Sequence, residues 1–100
     1  MRYKVIDTEV GTCYIEVQYR QPFVHVDMKK WGPQAFRHVE RELEKLQNLL
    51  YLGGARFLFC QVERTNTKLK KFIKMFGFRL IKEYPNHYLF ALTLTEPEKV

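Results

Sequence analysis

Three short runs in the first 28 residues alternate β-branched or aromatic side chains with polar ones: Tyr3 to Ile6, Cys13 to Tyr19 and Phe23 to Met28. A period of two turns one side of each run towards a core and the other towards solvent. The breaks are short, at Glu9-Val10-Gly11-Thr12 and Arg20-Gln21-Pro22. A parallel crossover needs about a dozen connecting residues or more, so runs this close predict an antiparallel meander of three strands. Every later element has to extend that sheet or cover it.

Trp31-Gly32-Pro33 then punctuates the chain, and Phe36, Val39, Leu43, Leu46 and Leu50 recur at helical spacing. Pro33 suits the first turn of this helix, where its missing N–H costs no hydrogen bond, and Gly53-Gly54 ends it. The apolar run Ala55 to Val62 predicts a strand buried on both faces, parallel to the one ending at Met28. Thr65 or Asn66 can cap a second helix with apolar side Leu69, Phe72, Ile73 and Phe76, and Gly77 is placed to go left-handed after it. Strands over Phe78 to Glu83 and Tyr88 to Leu94 flank a turn at Tyr84-Pro85-Asn86-His87. The expected order is β-β-β-α-β-α-β-β, an α+β fold with a mixed, mostly antiparallel sheet. It fills one domain over residues 1–95, with 96–100 as a loose tail.

Charge bounds the partners. Lys and Arg number 17 against 11 Asp and Glu, a formal net charge of +6, so anionic partners are attracted: a phosphorylated cofactor, an acidic protein or nucleic acid. Cys13 and Cys60 stand in apolar runs with no CxxC spacing, as expected of free thiols in a reducing compartment. Arg2, Lys4, Asp7 and Glu9 fall where a signal peptide would need an apolar stretch, and no apolar run is long enough to cross a bilayer. A cytoplasmic protein with no membrane partner is the expectation.

The element order, together with Asn66 followed by Phe76-Gly77-Phe78 at the end of the second helix, resembles the GNAT superfamily of acyl-CoA-dependent N-acetyltransferases. The resemblance covers Val10 to Leu94 and lacks the N-terminal strand and helices of full-length members. It is similar to the compact GNAT-like proteins of tailed bacteriophages, which also lack the usual tyrosine in this stretch. The resemblance implies a truncated acyl-CoA N-acyltransferase-like fold, acetyl-CoA as cofactor, and an amine or protein acceptor of unknown identity. It implies that the strands Phe23 to Met28 and Phe57 to Val62 splay apart. Backbone groups freed in this way, at Val26 and Met28, would hydrogen-bond the pantetheine arm as an added strand would. The phosphates would lie at the turn from Lys30 to Phe36, against Lys29, Lys30, Gly32, Gln34 and the helix N-terminus. Asn66 would reach the pantetheine arm, or serve as a helix cap, or both.

The chain departs from that family at two places. The phosphate loop's small residues are replaced except at Gly32: Trp31 stands for the Gln or Arg, Gln34 for the second Gly and Phe36 for the third, and Pro33 removes a donor. The tyrosine that protonates the departing thiolate is Ile73, which has no proton to give. His25 and Asp27 share one strand face and are candidate bases, or ordinary polar surface. Cys60 is a candidate nucleophile or a small core residue. Two functions compete: an acyl-CoA-binding protein or N-acetyltransferase, and a non-catalytic or virion-associated binding protein. The latter would use the basic residues Arg64, Lys68, Lys70, Lys71, Lys74, Arg79 and Lys82 against an anionic partner such as nucleic acid or an acidic protein.

Overall fold

Period-two alternation builds the expected meander. A computed structural model describes residues 2–97. Within it β1 (Arg2–Asp7), β2 (Gly11–Gln18) and β3 (Gln21–Met28) pair antiparallel in succession. The β2–β3 hairpin turns on Tyr19 and Arg20, with φ of 52° and 64°, and Gln18 faces Gln21 across it. This turn begins one residue earlier than the expected break, because it is made by two left-handed residues and leaves Gln21 and Pro22 to β3.

Helix α1 (Pro33–Leu52) starts on its proline and is followed by Gly53 and by Gly54, whose φ is 102°. β4 (Phe57–Glu63) then lies parallel to β3, as expected. Helix α2 (Thr67–Lys74) is capped by Asn66, whose Oδ1 accepts the Leu69 N–H at 3.2 Å, and Gly77 takes φ 96° after it. β5 (Arg79–Glu83) and β6 (His87–Thr93) form the last hairpin, and β6 enters the sheet between β4 and β5. The six-stranded sheet has the order β1-β2-β3-β4-β6-β5 and is antiparallel except at β3–β4. The fold is α+β.

Alternate residues of the sheet, among them Cys13, Ile15, Val24, Leu58, Cys60, Val62, Phe90 and Leu92, are buried in one cluster with Leu43 of α1 and Leu69 and Ile73 of α2. Helix α1 touches α2 and the turn after it through aromatic rings, Phe36 meeting Phe72 edge-on at 6.0 Å and stacking on Phe76 at 4.6 Å. Both helices therefore cover the same side of the sheet. The expectation that β4 is buried on both faces is corrected here: Leu58, Cys60 and Val62 are buried, while Phe57, Gln61 and Glu63 are exposed. No described helix covers the second face, so alternation along β4 survives even though most of its residues are apolar. Leu94, just past β6, is buried and its N–H donates to Arg56 O at 2.9 Å. Of the expected tail, residues 98–100 lie outside the described part of the chain.

Candidate functional site

The two parallel strands meet at a single register pair, Phe23 with Phe59. β3 continues to Met28 and β4 to Glu63 with no further register pair between them, and we call the space between these unpaired carboxyl-terminal halves the wedge. Main-chain polar groups that a continuous ladder would have paired here need another partner, such as water or a ligand. In open sheets the crevice beyond the carboxyl ends, where chain connections depart in opposite directions, is where ligands seat. β3 connects back to β2 on one side of the wedge, and β4 is flanked by β6 on the other.

At the helix-covered side of that end sits the turn into α1. Val10 O accepts two N–H groups, from Lys29 at 2.9 Å and Lys30 at 3.0 Å, which holds the turn against the start of β2. Gly32 has φ 126°, a conformation that disfavours a side chain, and precedes the helix without a side-chain cap. Its oxygen accepts the Phe36 N–H, but among the described residues the N–H groups of Gln34 and Ala35 have no protein partner. With no acidic side chain in the first turn, the positive end of the helix dipole is uncompensated. An open cleft of about 640 Å³ lies over this terminus, lined in part by Glu9, Lys30, Trp31, Gln34 and Arg37. Lys30 reaches Glu9 at 3.5 Å, an exposed pair of little worth in water and readily exchanged for an anion. Trp31 stands edge-on to Phe72 of α2 at 5.3 Å and so ties the turn to the second helix.

On the uncovered side, a second cleft of about 500 Å³ bridges the wedge, from His25 on β3 to Gln61 and Glu63 on β4, with Thr65, Asn86 and His87 at its rim. The His25 ring stacks on Tyr14 at 4.9 Å and 15°. Its Nε2 lies 3.3 Å from Glu16 Oε2. Arg2 Nε donates to that same oxygen at 3.0 Å, and Gln18 Nε2 donates to Glu16 Oε1 at 2.8 Å. The hydrogen bond from Gln18, followed by the charge and hydrogen bond of Arg2 and the charge of His25, holds the Glu16 carboxyl below its usual range against partial desolvation.

The sequence-derived candidates thus fall into three places. Val26, Met28, Lys29, Lys30, Gly32 and Gln34 follow one another along the wedge and its turn. His25 and Asp27 share the uncovered face, Asp27 exposed and His25 half-buried. Asn66 is the α2 cap beyond β4. Cys60 is a core residue: burial, with the nearby Cys13 adding to it, pushes its thiol up to about 12, and burial pushes Cys13 to about 12 as well. Neither thiol is available as a thiolate nucleophile. Ile73 is 2% exposed within the core. Sequence reasoning missed Arg37 at the cleft over the α1 terminus and Glu16 beside His25. Arg37 lies one helical turn beyond Pro33 and was legible from helical spacing alone, whereas Glu16 needed the β2–β3 register.

The fold as a whole recurs in solved structures. An acetyltransferase from Thermus thermophilus superposes with a TM-score of 0.63 over 85% of this chain and 56% of its own, at 22% identity. The spermidine/spermine N-acetyltransferase SpeG from Vibrio cholerae gives 0.62 over 85% and 57%, at 13% identity. The chain has the GNAT fold. The ribosomal-protein-S18-alanine N-acetyltransferase from Escherichia coli also shares it, with a TM-score of 0.62 over 90% of this chain and 64% of its own at 16% identity. The chain therefore spans less than two thirds of the length of these GNAT-fold neighbours. No family model matches the sequence, and no curated protein does. Among the described residues no helix is long and apolar enough to cross a membrane.

Proposed function

We propose that the chain binds acetyl-CoA in the β3–β4 wedge and transfers the acetyl group to an amine. The observation that carries this reading is that the two parallel strands share the single register pair Phe23 and Phe59, beside a helix terminus with unpaired Gln34 and Ala35 N–H groups. The residues present fit the cofactor. Gln34 and Ala35 N–H, with Lys30 and Arg37 lining the same cleft and Lys29 one residue before it, would hold its phosphates, and the left-handed Gly32 lets the backbone approach closely. Val26 and Met28 would offer main-chain groups to the pantetheine amides, and Asn66 would approach them from the start of α2. When bound, acetyl-CoA supplies a thioester carbonyl activated for attack by nitrogen.

On the uncovered face His25 takes the proton of the incoming ammonium, with Asp27 as the alternative acceptor on the same face. Ile73 donates nothing to the leaving sulfur, so the rate rests on positioning. Two neighbours are named for amine acceptors, spermidine/spermine in one and the S18 alanine in the other. An amine, small or on a protein, is accordingly the acceptor class we assign.

Calorimetric titration with acetyl-CoA and desulfo-CoA tests binding, and thiol release with a pool of peptides and small amines tests transfer. Reversing Lys29 and Lys30 together should weaken binding by about tenfold or more at low salt, and reversing Lys70 and Lys71 by much less. Equal losses would favour diffuse attraction of an anionic partner such as nucleic acid, and no binding to wild type would sink the reading.

A further inference from the structure

His25 lies in an arrangement more specific than its exposure alone conveys. Its Nε2 is shielded from solvent and finds no aligned hydrogen-bond partner among the described residues. The charged atom within reach is Glu16 Oε2, at 3.3 Å. A shielded ring nitrogen facing a carboxylate is favoured in its N–H form, because a lone pair there would meet another lone pair without water between them. The neutral imidazole then carries its proton on Nε2 and its free electron pair on Nδ1.

The carboxylate is itself braced. Arg2 and Gln18 each donate to one of its oxygens, so its orientation does not depend on His25. The Tyr14 ring, stacked on the imidazole and covered by the Arg2 guanidinium at 4.9 Å, restricts the tilt of the His25 ring. The remaining ionisable groups around this ring are Asp27 on its own strand, Glu63 on β4 and His87 on β6, the last two sharing its cleft. Among the described residues, Glu16 is the carboxylate with an oxygen within 4.0 Å of a ring nitrogen of His25.

We infer that Glu16 is a positioning residue that engages His25 through Nε2 and so presents Nδ1 as the proton acceptor at the cleft bridging the β3–β4 wedge. This rests on the acetyl-transfer reading for its role in turnover, though the tautomer itself does not. In the step assigned to it, one ammonium N–H bond breaks, its electron pair stays on nitrogen as the amine lone pair, and the proton bonds to Nδ1. The imidazolium so formed faces the Glu16 carboxylate, which offsets its charge.

The test reads the ring directly. Nitrogen-15 NMR of the imidazoles above their titration, with no cofactor present and His25 assigned by His25→Asn, reports the tautomer. Wild type should show predominantly the Nε2–H form, and Glu16→Ala should shift it to a mixture. In turnover, Glu16→Ala should lower kcat by about tenfold or more while leaving KM for acetyl-CoA within about twofold, because the carboxylate is on the face away from the phosphate turn. Glu16→Gln, which keeps a carbonyl oxygen and the side-chain length, should recover part of kcat, and it guards against a fold lost in the alanine variant. An unchanged tautomer in both variants would overturn the assignment. A fixed tautomer in a wild type that binds acetyl-CoA but transfers to no amine would overturn the acetyl-transfer reading and the base role, while leaving the Glu16–His25 geometry standing.

Discussion

Phe23 of β3 and Phe59 of β4 face one another with ring centroids 5.3 Å apart, at the one register pair joining the two parallel strands. The wedge opens from this contact. Phe59→Ala should destabilise the fold by about 1–3 kcal/mol, less than a fully buried Phe because its ring lies on the uncovered face. It should also weaken acetyl-CoA binding more than Phe57→Ala, whose ring is 45% exposed. Urea unfolding and calorimetry on both variants check this, and equal binding losses would mean that the pair does not set the wedge.

Leu43 is 7% exposed on α1, whereas Leu49 on the same helix is 69% exposed. Leu43→Ala should cost about 2–5 kcal/mol through lost burial and the cavity left behind. Leu49→Ala should stay within about 0.5 kcal/mol. Chemical denaturation of the two variants side by side reads the difference.

Gly11 admits no side chain. A Cβ there would lie 2.6 Å from Asp27 O and 3.1 Å from Met28 Cα, both backbone atoms. Gly11→Ala should therefore push β2 away from the end of β3 and cost about 1–3 kcal/mol, with the Lys29–Lys30 turn displaced. Gly53→Ala meets backbone oxygens no nearer than 3.5 Å at φ −79° and should be close to neutral. Thermal unfolding distinguishes them.

Tyr19 and Arg20 hold left-handed conformations in the β2–β3 hairpin, and Tyr19 is 94% exposed. A side chain in this region costs roughly 1–2 kcal/mol per residue, and Asn-Gly suits a two-residue turn of this hand. Tyr19→Asn with Arg20→Gly should raise stability by about 1 kcal/mol with no loss of packing. A lower midpoint in urea would refute it.

Acid should weaken the Glu16 cluster. Its carboxyl is held below the ordinary value in the folded chain, so the unfolded chain takes up the proton first as pH falls. The stability it contributes is present at neutral pH and is lost as pH drops through and below the ordinary carboxylate range. Glu16→Gln should flatten that part of the stability–pH curve, measured by urea unfolding at neutral and acid pH.

Much of this architecture is written in local spacing. Alternation in the first three runs, the stripe from Phe36 to Leu50, Pro33 at the helix start, Asn66 as a cap and Gly77 after α2 all depend on neighbours a few residues away. Such periodicities act within a strand or a helical turn, so the order of elements and the limits of α1 followed from the chain alone. The run Lys29-Lys30-Trp31-Gly32-Pro33 before α1 was likewise readable as the turn that starts the helix, because Pro33 and the residues ahead of it need no distant partner.

What folding decided is which distant residues meet. Phe57 and Phe59 read as core because they are apolar, yet both helices settle on the opposite face and leave them half-covered or exposed. The Tyr19-Arg20 turn carries no Asn-Gly signal, so the β2–β3 register was not legible, and without it nothing along the chain places Glu16 beside His25. A one-residue slip in that register would send Glu16 and His25 to different faces. Hydrophobic pattern determines what each element can bury; only the choice of sheet face and strand register, made by the whole core at once, determines which polar groups are left together in the wedge.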